Sequence, residues 1–142
     1  MIINTRRYGD IKIDPAKIIT FNDGVIGFGR NTRYVLIPFA EGTPFELLQA
    51  VDDSNLAFVV INPALLVPEY KIDISGDDLE SIQVKNVADV ALRVIVTLPM
   101  ELSQMTANLQ GPILINEARL LGKQIVLVNS DYHLRHPVLS VA

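Results

Sequence analysis

The chain has 142 residues, 49% of them hydrophobic and 20% charged, a size and balance that fit one domain (1–142) with a real core and give no disorder signature. Its 12 Lys and Arg against 16 Asp and Glu leave a formal charge of −4, which argues against direct nucleic-acid binding and favours a basic protein partner. With no cysteine, a disulfide framework, a thiolate nucleophile and a cysteine-type zinc site are all excluded.

No apolar run approaches the roughly 20 residues that a membrane helix needs, so no membrane association is expected. The order of residues 1–7, with Arg6 and Arg7 following Ile2 and Ile3, is not that of a secretory leader; the cytoplasm is the expected location.

In chain order, residues 8–14 alternate apolar and charged side chains and predict a half-solvated strand, ended by Asp14-Pro15. A second strand is expected at 18–21, followed by Asn22-Asp23-Gly24-Val25-Ile26-Gly27-Phe28-Gly29. These glycines lack the Lys-Ser/Thr and the following helix of a phosphate loop, and read as a bend covered by Phe21 and Phe28. Residues 33–38 form a β-branched and aromatic strand closed by Pro38. The stretch 45–51 favours a short strand, and the continuous apolar run 56–61 a strand buried on both faces.

Residues 70–74 alternate again and suggest another strand. Ser75 then opens the one helix candidate, with Asp77 and Asp78 in its first turn and Leu79 and Ile82 spaced to share a buried face. The strongest strand pattern is 90–98, and a further one is expected at 122–128. Roughly nine or ten short strands against one short helix predict a mainly β fold, a compact antiparallel β-barrel-like single domain.

The stretch 105–116 reads as two short strands meeting at the Gly111-Pro112 corner. Leu109, Ile113 and Ile115 recur at every second position, while Thr106, Asn108 and Gln110 form a polar set between apolar neighbours. Pro112 belongs at a strand start, edge or bulge, and Gly111 at a backbone conformation that other residues resist.

Catalytic chemistry has little to stand on. Asp131, His133 and His136 are the one ligand-like cluster, and a small metal-dependent hydrolase using them is the alternative from another class. Pro137 and the three-residue histidine spacing argue against it, and a packed tail is the simpler outcome. The pairs Asp52-Asp53 and Asp77-Asp78 look like turn and helix-start residues. Asp73, Asp77, Asp78 and Glu80 cluster around the helix, either as a solvated face or as one side of a charge-complementary interface.

Taken together, Phe21-x-x-Gly24-x-x-Gly27-Phe28, Pro44-Phe45-x-x-Leu48-Gln49, Leu56-Ala57-Phe58-Val59-Val60, Val96-Thr97-Leu98-Pro99, Met105-Thr106-Ala107-Asn108-Leu109-x-Gly111-Pro112-Ile113 and Tyr132-x-Leu134-Arg135-His136-Pro137 resemble, in this order, the bacterial flagellar assembly factor FliW family. The resemblance runs from about Tyr8 to Pro137 and implies a β-barrel-like protein without an enzymatic activity or a cofactor. It implies binding to the translational repressor CsrA, the carbon storage regulator, away from that partner's RNA-contacting surface, so that repression of flagellin mRNA is relieved allosterically. It also implies binding of flagellin in a partner switch; a flagellin-specific chaperone without a role in translation is the milder alternative.

The partner surface expected from these motifs comprises Met105, Thr106, Asn108, Leu109 and Gln110, with Pro112 and Ile113 setting the corner and Tyr132, Arg135 and His136 flanking it. Fold maintenance is the competing role for each. Edge-strand hydrogen bonds and an apolar groove are the expected mode of binding. Asn108→Arg is accordingly expected to weaken binding while leaving thermal stability unchanged.

Overall fold

β-Branched and aromatic residues broken by Gly, Pro and Asp give many short strands, and a computed structural model describing residues 1–128 and 130–138 shows how they pair. A first hairpin joins β1 (Ile2–Thr5) to β2 (Gly9–Lys12) outside the main sheet. No strand was expected at β1, whose four residues are too few for alternation to register. Then follow β3 (Ile19–Thr20), β4 (Arg33–Pro38), β5 (Glu46–Ala50) and β6 (Ala57–Ile61). The helix α1 (Gly76–Ser81) precedes β7 (Ala91–Thr97), β8 (Thr106–Ala107), β9 (Ile113–Asn116), β10 (Leu121–Gln124) and β11 (His136–Pro137).

The sheet runs β11-β8-β7-β6-β5-β4-β3-β10-β9, and β7 also pairs with β9. That last pairing closes β3, β4, β5, β6, β7, β9 and β10 into a barrel, which removes the free edges an open sheet would leave there. The mainly β, barrel-like expectation with one short helix holds. One seam departs from antiparallel order: β10 meets β3 in parallel, Leu121 opposite Thr20.

Strand β7 organises the closure. Its first half pairs with β9 (Ala91↔Ile115, Leu92↔Leu114, Arg93↔Ile113), and its second half pairs with β8 along the same edge (Val96↔Ala107, Thr97↔Thr106). Between these two pairings the chain leaves the ladder and returns.

Every second side chain points inward, so Phe21, Tyr34, Leu48, Ala50, Val60, Ile113 and Ile115 fill the barrel. Phe21 packs edge-on against Tyr34 at 5.3 Å, and a Cβ on Gly122 would lie 2.4 Å from the Phe21 ring; this glycine is required by close approach. The alternate side chains point outward and are themselves covered. Ile3 and Ile13 of the N-terminal hairpin cover Val35 and Val51. Leu79 of α1 and Ile82 at its C-cap, with Ile72 and Ile74, cover Leu114 and Ile125. A third coat joins Ile61, Val94, Val96, Met105, Leu109 and Val138. Burying a side chain of this size contributes about 1.5–3 kcal/mol, so these coats are a substantial part of stability.

Three expectations change. Residues 70–74 form no strand, because their alternation serves side-chain packing of Ile72 and Ile74 without a backbone partner ladder. The strand expected at 122–128 stops at Gln124. Leu109 does not share a face with Ile113 and Ile115; it packs in the outer coat, because the excursion between β8 and β9 turns the chain in between. The glycine-spaced loop is the expected bend, with Gly24 at φ +67° and Phe28 half exposed and edge-on to Phe58.

Candidate partner interface

The excursion from Asn108 to Pro112 is built by one side chain. Asn108 Oδ1 accepts from the backbone N–H of Gln110 and of Gly111, each at 3.0 Å, an Asx-type turn that asparagine favours. The Asn108 N–H donates to the Ile95 carbonyl at 2.9 Å, which pins the start of the turn to β7. Gly111 is not in the left-handed region. Its need is spatial, since a Cβ there would sit 2.8 Å from Asn108 Nδ2. Pro112 stands immediately before β9, where a missing N–H costs nothing, and its carbonyl accepts from Ile125 N–H at 3.0 Å.

The tail then docks on this corner. Leu109 N–H donates to the His133 carbonyl at 3.1 Å, Val138 N–H donates to the Met105 carbonyl at 3.0 Å, and β11 pairs with β8 (His136↔Ala107, Pro137↔Thr106). The Tyr70 hydroxyl donates to the Leu109 carbonyl at 2.6 Å, and burial, with the neighbouring Tyr132, pushes its pKa upward. The Tyr132 hydroxyl accepts from Lys71 N–H at 2.8 Å, with the two tyrosine rings 4.5 Å apart.

The residues expected at the partner surface are therefore brought together, but they do different things. Met105, Leu109, Pro112 and Ile113 are buried and present little surface. Thr106, Asn108, Gln110, Tyr132 and His136 are half-buried, and Arg135 is exposed. The backbone edge at Thr106 is already taken by Pro137. The expectation that Asn108→Arg leaves stability unchanged is revised by the two N–H groups that Asn108 Oδ1 holds.

Asn108 and Gln110 share a groove of about 270 Å³ with Gln124, whose amide bridges Gly111 and Ile26: Nε2 donates to the Gly111 carbonyl at 2.9 Å and Oε1 accepts from Ile26 N–H at 3.0 Å. Ile26, Phe28, Val126 and Leu134 line the same groove and are unusually exposed for their type. Sequence reasoning missed them as surface residues, because no pattern local to them marks their exposure; it follows from where β3 and β10 end.

A second groove of about 650 Å³ shares Val126 and is edged by Asp73, Asp78 and Asp131, with Lys71. Asp78 pairs with Lys123 at 3.0 Å. Partial burial disfavours its charge, yet the hydrogen bonds with Lys123 and Ser75 outweigh that and hold its carboxyl below the ordinary range. The other carboxylate pair serves the fold as expected: Asp52 pairs with Arg33 at 2.6 Å, and Asp53 accepts from Asn55 N–H in a turn. No group of three or more His, Asp or Glu side chains able to hold a metal occurs among the described residues, so Asp131, His133 and His136 do not converge on one site there. No helix among those residues is long and apolar enough to cross a membrane.

These features define a small closed β-barrel, coated on its outside and grooved where the tail meets the β8–β9 excursion. The FliW protein family model matches residues 2–139. A flagellar assembly factor FliW from Natranaerobius thermophilus is 41% identical over 141 residues, covering 99% of this chain and 93% of that one. The protein of the same name from Bacillus subtilis is 36% identical over 138 residues, covering 97% and 96%. A crystal structure of the flagellar assembly factor FliW superimposes with a TM-score of 0.91 at 40% identity, covering 98% of this chain and 97% of that one. The chain belongs to the FliW family of flagellar assembly factors.

Proposed function

We propose that this chain is a protein antagonist of the translational regulator CsrA that relieves repression of flagellin mRNA translation and binds flagellin in a partner switch, without catalysis and without touching nucleic acid. The observation that carries this is membership of the FliW family across residues 2–139, which includes the whole corner from Met105 to Ile113 and the tail docked on it. The formal charge of −4 supports it, since an acidic surface steers association with a basic RNA-binding protein and repels RNA itself.

In this proposal Thr106, Asn108, Gln110, Tyr132, Arg135 and His136 supply contacts, and the buried Met105, Leu109, Pro112 and Ile113 hold those contacts in register. Antagonism is allosteric: the partner is engaged away from its RNA-contacting surface, and flagellin competes for this chain, so free flagellin returns the regulator to its mRNA. The site of action is the cytoplasm, where translation occurs.

Titration calorimetry with CsrA, repeated with flagellin already bound, tests this. Binding to CsrA that bound flagellin abolishes is the expected result. Flagellin binding with silence toward CsrA would reduce the protein to a flagellin chaperone, and silence toward both would overturn the proposal.

A further inference from the structure

The chain does not end its extended course where β10 ends. Past Gln124, Ile125 N–H donates to the Pro112 carbonyl at 3.0 Å and Leu127 N–H to the Gln110 carbonyl at 2.8 Å. Bonding at every second residue is the signature of a strand, in which the intervening residues direct their N–H and C=O to the opposite edge. For Val126 and Val128 that opposite edge is the one on which β10 met β3. Strand β3 stops at Thr20, and the loop after it satisfies Ile26 N–H with the Gln124 side chain in place of a backbone partner. No described residue hydrogen-bonds to the backbone of Val126 or Val128.

This edge is also apolar. Val126 is 59% exposed and Val128 81%, and Ile26, Phe28 and Leu134 stand exposed beside Val126 around the 270 Å³ groove. Folded proteins guard such edges with lysine, proline or a bulge, and 126–128 is Val-Leu-Val. The adjoining groove adds charge: among the described residues Asp73 and Asp131 have no ion-pair partner, Asp78 is tied to Lys123, and Lys71 is the one cation in the lining.

We infer that the backbone edge at 126–128 is a docking strand for an extended peptide segment in which apolar and basic side chains alternate. Its main chain pairs with Val126 and Val128, its apolar side chains enter the groove beside Ile26 and Phe28, and its cations meet Asp73 and Asp131. Strand addition of this kind draws affinity from main-chain hydrogen bonds and selectivity from alternate side chains.

The test uses the full chain and a fluorescein-labelled peptide of about eight residues alternating valine with lysine, near ordinary strand length. Saturable binding in fluorescence polarisation is expected, with none for the matching valine–glutamate peptide. N-methylation of the peptide backbone along one edge is expected to weaken binding about tenfold or more, the loss of one or two backbone hydrogen bonds. Val126→Pro, which removes the outward N–H, should do the same. Where circular dichroism finds that variant unfolded, the N-methylated peptide against the parent protein decides. Absence of binding, equal binding of the glutamate peptide, or indifference to N-methylation would overturn the inference. So would a dimer in sedimentation that Val128→Lys dissociates, because the edge would then be occupied by a second copy. Neither CsrA nor flagellin enters this experiment, so its failure leaves the antagonist proposal standing and the converse also holds.

Discussion

Two stretches step out of the barrel's regular pairing and are finished in opposite ways. At β8 the outer edge is closed: β11 pairs along it, Val138 donates to Met105, and Leu109 is clasped between the His133 carbonyl and the Tyr70 hydroxyl. At 126–128 the inner edge is bonded to the corner and the outer edge has no partner among the described residues. Both stretches alternate side chains, and Asn108, just after β8, lines the same groove as Val126. What separates them is whether another length of backbone comes to lie alongside, which makes β8 part of the core and leaves 126–128 as surface.

The sharpest way to break this contrast is to truncate one residue on each side. Leu109, 1% exposed, is expected to cost about 2–5 kcal/mol as Leu109→Ala in urea unfolding, whereas Val126→Ala should stay within about 0.5 kcal/mol. Equal losses would abolish the distinction between the closed and the open stretch. Gly111→Ala comes next: its Cβ would press on the Asn108 amide, and a loss of about 1–3 kcal/mol is expected in the same assay. Asn108→Arg removes the acceptor for two backbone N–H groups and is expected to lose about 1–2 kcal/mol, read as a lower thermal midpoint.

The smallest effect concerns charge on the open side. The folded Asp78 carboxyl titrates below its unfolded value, so its contribution is present above about pH 4 and fades as pH falls through the folded pKa. Being partly exposed and screened, it should amount to about 0.5 kcal/mol or less. It should vanish in Asp78→Asn and shrink in high salt, as followed by urea midpoints between neutral and acidic pH.

Much of the barrel was legible because its strands obey local rules. Residues 33–38 carry β-branched and aromatic side chains up to a proline stop and are strand over those same residues. Ser75 caps α1 through the Asp78 N–H, and Leu79 and Ile82 share a buried face as their spacing requires. The corner at 111–112 was also foreseeable, although the reason for Gly111 is a neighbouring amide and not its own backbone angle.

What was not legible depends on partners distant in sequence. Alternation at 70–74 records that Ile72 and Ile74 are covered, but it is silent on whether the backbone finds a strand. The polar set at 106–110 looked like a recognition edge because nothing in its own residues announces that His136 and Pro137 will lie against it. Conversely, 122–128 looked like an ordinary strand, and only the early end of β3 leaves its last residues unpaired on one side. Periodicity reports which side chains are buried; backbone pairing is decided by the topology.

The parallel seam between Thr20 and Leu121 has a consequence in time. A chain emerging from the ribosome can form the β3-to-β6 meander early, because those strands are neighbours in sequence as well as in space. The last stave in chain order, β10, leaves the ribosome after the other six, and until then the Phe21 ring lacks the Gly122 backbone that covers it. An incomplete chain therefore carries an open trough with its aromatic lining facing solvent. A partner that reads the finished barrel has its surface only once β10 has emerged beside β3.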